Sequence, residues 1–147
     1  ELEKRTIEIE GIDIISCNGL SYKKYLEIAA TLNKKVAVMT DNDGSEVKVK
    51  EFRDYNNSNT ITKIFSPSTI DDYTWEVSLK IVNQSLIDNL VNIQDGAKYK
   101  VKGIDFDDKR LAFMLLNKVD FSMKLIESKQ KINIPRYLKE LFEWIKE

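Results

Sequence analysis

The sequence predicts an α/β fold in which a parallel sheet is flanked by helices and followed by a helical C-terminal part. Three observations lead to this prediction. Val36 to Met39 and Thr60 to Phe65 are short apolar or β-branched segments, separated by a polar segment long enough for a helix. A β-branched segment, Ile12 to Ser16, precedes them, with a helical pattern in between. From Thr74 onward most of the sequence has helical spacing.

Composition limits the classes of function. The 147 residues are 42% apolar and 32% charged, which suits one folded domain. There is no histidine and a single cysteine, Cys17. This excludes a Ser-His-Asp triad, a Cys-His pair and zinc sites with the usual ligand sets. The longest purely apolar segment, Leu111 to Leu116, is far shorter than the ~18–20 residues of a membrane-spanning helix, so we expect a soluble, cytoplasmic protein with no membrane partner.

The two ends of the chain differ in charge. Residues 1–97 carry 11 basic and 16 acidic side chains, whereas residues 98–147 carry 12 and 8. The basic C-terminal third is the better candidate surface for a polyanion, although an ordinary solvated surface explains it about as well. The chain starts with Glu1 rather than Met and shows no signal-peptide pattern, so we expect it to be a piece of a longer protein.

The first elements follow from local patterns. The strand Ile12 to Ser16 leads into the turn formers Asn18 and Gly19, and a helix from Tyr22 to near Asn33 follows. Val36 to Met39 is uninterrupted apolar sequence, typical of a strand that is covered on both faces. A short helix near Val47 to Asp54 and the strand ending at Phe65 complete a βαβαβ arrangement.

The C-terminal elements are mostly helices. We predict an interrupted helix from Trp75 to Leu90, a helix from Asp108 to Asn117, and an edge strand within Lys98 to Phe106. A last helix begins at Pro135. Its predicted apolar stripe consists of Ile134, Tyr137, Leu138, Leu141, Phe142 and Ile145. Residues 1–147 therefore form one domain, with an α/β core at about 11–82 and a mostly helical extension at about 83–147.

Two aspartates directly follow the apolar strand. Ligands of open parallel sheets bind beyond the carboxyl ends of the strands, where Asp41 and Asp43 lie. Alternate residues of an extended segment face the same side, so both carboxylates could hold one cation or two neighbouring cations. Gly44 then permits a sharp turn. A solvated turn is the simpler explanation of Asp-Asn-Asp-Gly.

Two known motifs compete for these residues. A calcium-binding EF-hand loop needs glycine at its sixth position, and here glycine is fourth. The signature of haloacid-dehalogenase phosphatases fits Asp41 to Ser45, with Asp41 as nucleophile and Asp43 as acid. Those enzymes need further strands that present a hydroxyl, a lysine and another acidic pair, and Asp107-Asp108 is more typical of a helix cap.

The segments Gly11 to Gly19, Ser21 to Leu26 and Lys35 to Gly44 resemble the Toprim domain of OLD-family ATP-dependent endonucleases, and in particular the nuclease subunit of the Gabija antiphage system. The resemblance implies a Toprim-like sheet and an antiviral DNA endonuclease that uses Mg²⁺ or Mn²⁺. It implies ATP binding only through a separate ATPase domain of the same parent chain. The other implied partners are DNA, further copies of the parent protein and a helicase-like defence partner.

The resemblance also implies roles for single residues. Asp41 and Asp43 match the metal-binding Asp-x-Asp, and Thr74-Trp75-Glu76 is similar to a Thr-Leu-Glu element, so Glu76 is a further metal ligand. Lys118 matches a late lysine near the scissile phosphate, which makes Asp41, Asp43 and Lys118 the catalytic set. The simpler explanations are a helix-opening acid for Glu76 and a solvated lysine for Lys118. Backbone-directed DNA contacts are expected from Lys124, Lys129, Lys131, Arg136 and Lys139.

One feature of the family is missing from the sequence. Toprim domains begin with a strand that carries a catalytic glutamate, followed by a helix, before the strand that is predicted here at Ile12. The glutamates near the start, Glu1 to Glu10, lie too close to that strand. We therefore expect the fragment to start inside the domain and to be inactive alone. A phosphatase and a non-catalytic assembly module remain the alternative functions.

Overall fold

The computed structural model describes residues 11–17, 22–93, 100–101, 104–105 and 107–147. The elements in order are α1 (Tyr22–Thr31), β1 (Val36–Met39), α2 (Glu46–Ser58), β2 (Thr62–Phe65), α3 (Trp75–Val82), α4 (Gln84–Leu90), β3 (Lys100–Val101), β4 (Ile104–Asp105), α5 (Lys109–Leu116), α6 (Lys118–Glu127) and α7 (Arg136–Lys146). Within these ranges no helix has the length and apolar character needed to cross a membrane.

The sheet that supports the site consists of β1 and β2. The two strands are parallel, with Val36 opposite Thr62 and Met39 opposite Phe65. The α/β class and both strands are therefore confirmed. The prediction that β1 is covered on both faces is only partly right, because Met39 is 54% exposed.

The predicted strand Ile12 to Ser16 is wrong. The backbone of this segment has no strand structure, and Ile14 and Ile15 are 77% and 64% exposed. β-Branched residues favour extended backbone, but a strand is stabilised by pairing and packing against neighbours, which this segment lacks within the described residues. The βαβαβ arrangement is therefore reduced to αβαβ.

An asparagine side chain closes the outer edge of β2. Asn56 accepts a hydrogen bond from Ile64 N at 2.8 Å and donates one to Ile64 O at 2.7 Å. Its carboxamide thus satisfies both backbone groups of Ile64, which a further strand would otherwise bind. Because Asn56 lies on α2, the same contact fixes this helix against the sheet.

Local signals explain the helix boundaries. Ser45, Thr74 and Asp108 each accept a hydrogen bond from a backbone N–H in the first turn of the helix that follows. The predicted interruption between Trp75 and Leu90 is present at Asn83, where α3 gives way to α4. The helix predicted near Val47 to Asp54 is longer, because its polar end continues to Ser58.

Helix α7 packs on the sheet through only part of the predicted stripe. Tyr137 and Leu138 form a buried cluster with Phe65, and Trp144 packs against it. Ile134 and Phe142 are 38% and 37% exposed, so they do not belong to the buried face. Trp144 takes this place instead: its ring centroid lies 5.9 Å from that of Phe65.

The remaining apolar residues form two further clusters. One contains Tyr22, Leu26, Phe52 and Ile64, and joins α1 and α2 to β2. The other joins α3 to α6 through Leu79, Ile87, Val91, Met114 and Phe121. An antiparallel pair, β3 and β4, lies within the predicted edge-strand segment Lys98 to Phe106. The rest of that segment and the predicted turn at Asn18-Gly19 lie outside the described residues. Ser21, which the sequence predicts as the cap of the helix that starts at Tyr22, also lies outside them.

Candidate active site

Asp41 lies just beyond the carboxyl end of β1, as predicted. Its Oδ1 accepts a hydrogen bond from the backbone N–H of Trp75 at 3.0 Å. Trp75 is the first residue of α3, so the carboxylate also lies at the positive end of that helix. This contact brings the end of β1 next to Glu76.

Asn42 fixes the loop that carries Asp41, and sequence reasoning missed it. The residue is 0% exposed. Its Nδ2 donates to the carbonyls of Pro67, Thr69 and Asp72 at 2.8 to 3.1 Å, and its Oδ1 accepts from Gly44 N at 2.7 Å. The loop after β1 is thus joined to the loop before α3, and both loops carry candidate ligands.

Asp43 does not face the same way as Asp41 through an extended backbone, so that part of the prediction is wrong. Its φ is +55° and that of Gly44 is +71°, so the chain turns here in the left-handed region. The Asp43 side chain is 63% exposed and forms an ion pair with Lys48. The loop buries Asn42 rather than either acid, and the chain turns directly after it.

Glu76 and Lys118, which the same family resemblance singles out in distant parts of the sequence, are in contact. The Nζ of Lys118 lies 2.7 Å from Oε1 of Glu76. The Glu76 side chain is only 6% exposed, and its Oε2 is buried with no hydrogen-bond partner. A buried carboxylate oxygen without a partner is costly and indicates a site that an additional ligand would complete.

The surroundings of Asp41 raise its pKa. Burial of the half-buried carboxylate is the main cause, opposed by the hydrogen bond from Trp75. The negative charges of Glu76 and Asp43 raise the pKa further, whereas the positive charge of Lys118 lowers it. Asp41, Asp43, Glu76 and Lys118 therefore share one electrostatic environment.

A buried tyrosine from the last helix completes these surroundings. Burial raises the pKa of Tyr137 to about 12; a hydrogen bond with Ser78 opposes this, and the charges of Asp41, Asp72 and Glu76 add to it. Ser78 in turn donates a hydrogen bond to the carboxylate of Asp72. No local sequence signal indicates these contacts, because Tyr137 has the spacing of an ordinary core residue.

The described part of the chain contains no preformed metal site of three ligands. Among the residues that the structure describes, no group of three or more Asp, Glu or Cys side chains is arranged to hold a metal ion. Asp107-Asp108 behaves as a helix cap, as predicted: Asp108 accepts from Leu111 N at 3.0 Å and pairs with Lys80. The carboxylates of Asp41 and Glu76, with the exposed Asp43 nearby, are the remaining oxygen ligands.

A comparison with known families matches the part of the chain that ends with Asp41 and Asp43. Residues 1–43 match the sequence model of the overcoming lysogenization defect protein-like TOPRIM domain. The match covers less than a third of the chain and ends at Asp43, so it includes the Asp-x-Asp pair but neither Glu76 nor Lys118. No curated protein and no solved structure matches the chain. The match supports a Toprim domain of an OLD-family protein, and such domains typically perform metal-dependent cleavage or joining of nucleic acids.

Proposed function

We propose that this chain is the nuclease part of a divalent-metal-dependent DNA endonuclease that also contains an ATPase domain, as in the nuclease subunit of the Gabija antiphage system. The observation that carries the proposal is the meeting of Asp41, Glu76 and Lys118. Asp41 accepts a hydrogen bond from the residue before Glu76, Glu76 pairs with Lys118, and the charges of both Glu76 and Lys118 act on Asp41. The other partners we propose are DNA, further copies of the same protein and a helicase-like defence partner, all in the cytoplasm.

The side chains present fit a hard divalent cation. Carboxylate oxygens are the ligands that Mg²⁺ and Mn²⁺ prefer, and the described site contains no softer ligand. The buried Oε2 of Glu76 has no partner, as expected of an oxygen that is kept for a cation. Asp41 and Glu76 would hold the metal, and Asp43 would join them only by leaving its ion pair with Lys48.

The roles of the residues follow from their positions. A bound Mg²⁺ or Mn²⁺ supplies Lewis-acid stabilisation of the charge on the phosphate oxygens. The Trp75 N–H orients the carboxylate of Asp41, and Asn42 keeps the loop of Asp41 against the loop before α3. Lys118 neutralises charge that develops on the phosphoryl group, a role that an ammonium can fill without fixed bidentate geometry.

The phosphatase alternative has less support. It requires a hydroxyl, a lysine and a second acidic pair on strands that follow Phe65. Downstream of that residue, the described strands are β3 and β4, each of two residues. Asp108 is already engaged as the cap of α5 and as the partner of Lys80.

The proposal is tested with Asp41→Asn in the intact parent protein. Asparagine keeps an oxygen that can accept from Trp75 N but loses the negative charge, so plasmid cleavage with Mg²⁺ or Mn²⁺ should fall at least about a hundredfold while the fold persists. Asp54→Asn is the matched control, since Asp54 is an exposed acid on α2. It should cut at the wild-type rate.

Three results would contradict the proposal. Cleavage at the wild-type rate by Asp41→Asn would remove Asp41 from the site. Turnover of a small phosphate ester, with a phospho-aspartate trapped on Asp41 of the wild-type protein, would establish the phosphatase instead. An intact parent protein that neither binds Mn²⁺ nor cuts DNA would favour the assembly module.

A further inference from the structure

The ion pair between Glu76 and Lys118 is unequal in its exposure. The Glu76 side chain is 6% exposed, whereas the Lys118 side chain is 61% exposed. More than half of the lysine side chain therefore lies in solvent, while its ammonium contacts the buried carboxylate. Such a lysine contributes a charge to the site but little packing, so it can leave without disrupting the core.

The position of Lys118 in its helix does not explain the pair. Lys118 is the first residue of α6. A positive charge is unfavourable at a helix N-terminus, because the helix dipole is positive there. The contact with Glu76 therefore offsets an unfavourable position in the helix.

A buried carboxylate needs a positive charge beside it. In the structure Lys118 supplies that charge at Oε1, while Oε2 has no partner. A divalent cation on Glu76 would lie within a few ångströms of the ammonium, and the two like charges would repel each other. Glu76 therefore cannot bind the divalent cation and the ammonium of Lys118 at full strength at the same time.

We propose that Lys118 is a placeholder cation, which neutralises Glu76 until a divalent metal displaces it and thereby frees the ammonium to meet a phosphate. This inference rests on the proposed function and adds a regulatory step to it. Metal binding and the release of the phosphate-binding lysine are then one event. The lysine is withheld from phosphate until the metal is bound.

The pair between Lys80 and Asp108 shows the opposite arrangement. There the lysine is the buried partner, at 15% exposed, and the acid, at 39%, also caps α5. That pair joins α3 to α5, and neither carboxylate oxygen of Asp108 is buried without a hydrogen-bond partner. The exposure pattern thus separates a structural ion pair from a displaceable one.

The test is an Mn²⁺ titration of the intact parent protein at pH 8, measured by calorimetry. Lys118→Met removes the competing charge and keeps an unbranched stem, so Mn²⁺ should bind at least about tenfold more tightly than to wild type. Lys118→Arg keeps the charge and should bind like wild type. Lys124→Met is the matched control: Lys124 lies on the same helix and is 43% exposed. It should leave Mn²⁺ binding unchanged.

Every other result contradicts either the placeholder role of Lys118 or the proposed metal site. Equal or weaker Mn²⁺ binding by a folded Lys118→Met variant overturns the placeholder, because a lysine that only shapes the site would lower metal affinity when removed. If wild-type binding depends on Asp41 but Lys118→Met is no tighter, the placeholder fails and the metal site stands. If neither wild type nor Lys118→Met binds Mn²⁺, the proposed metal site itself fails.

A second measurement does not depend on any variant. Saturating Mg²⁺ should move the side-chain Cε resonance of Lys118 in the wild-type chain towards that of a solvated lysine. The corresponding resonance of Lys124 should stay in place. A Lys118 resonance that does not change at saturating Mg²⁺ would overturn the displacement.

Discussion

The burial of Asp41 links a site residue to the stability of the whole protein. Its pKa is raised in the folded state, chiefly by loss of solvent, so folding disfavours the ionised carboxylate. In the unfolded chain the same group ionises at its usual pKa. Ionisation of Asp41 therefore destabilises the fold at neutral pH, and this cost disappears as the pH falls.

At the residue scale, we expect Asp41→Asn to increase the free energy of unfolding at pH 7 by up to about 1 kcal/mol, a modest gain because water screens the half-buried carboxylate. The gain should shrink as the pH falls towards 4, because the native carboxylate takes up its proton at a higher pH than the unfolded one does. Urea unfolding at both pH values checks this. Asp54→Asn should show no such pH dependence, and a variant that is less stable than wild type at pH 7 would contradict the sign.

Sequence could identify Asp41 but not Asn42. An acid directly after an apolar strand has a recognisable position, since strand ends carry ligands in parallel sheets. An asparagine between two aspartates, followed by glycine, has the composition of a solvated turn. Its burial depends on carbonyls 25 to 30 residues later in the chain, which no local pattern reveals. Tyr137 was missed as a neighbour of the acids for the same reason.

At the scale of elements, the sequence predicted features that depend on local signals better than features that depend on long-range pairing. The helix caps at Ser45, Thr74 and Asp108 are set by residues three positions apart, and those helix starts lie close to the predicted ones. The segment Ile12 to Ser16 has the composition of a strand but no strand pairing in the structure. A strand needs a neighbour, so its composition alone was insufficient.

Asn56→Ala should show how much the closed edge of β2 contributes. It leaves Ile64 N and O without their side-chain partner, so the free energy of unfolding should fall by about 1–3 kcal/mol. An opened edge also invites pairing between molecules, so sedimentation should reveal self-association. Asn57→Ala, at an exposed neighbouring position on α2, should do neither. Equal effects of both variants would show that the edge contact is unimportant.

At the scale of the whole molecule, the division into 11–82 and 83–147 stays a prediction. Leu79 and Ile87, which lie on either side of that boundary, share one buried cluster. Trp75 packs against this cluster and also against the cluster under α7. The residue that donates to Asp41 thus lies where two parts of the core meet, an arrangement that the separate helical patterns could not predict.

The uneven charge of the chain leads to a prediction about DNA. Lys129, Lys131 and Lys139 are exposed in the basic C-terminal third. Changing all three to glutamate should weaken binding to duplex DNA and reduce the slope of log affinity against log salt by up to about 3. Fluorescence anisotropy over a range of NaCl concentrations measures both. The control is the same change at Lys23, Lys24 and Lys34, which are exposed on and after α1. Equal losses from both triples would indicate only a general effect of net charge.

The side chains that hold the loops and strands around the site are asparagine carboxamides. Asn42 joins its two loops, Asn56 closes β2, and Asn83 donates to Asn133 O while accepting from Asn133 N. None of these amides titrates in the physiological range, so a proton that binds Asp41 changes the charge of the site without loosening what holds it. The pH profile of any reaction at this site would then report Asp41 itself, rather than a scaffold that softens with pH.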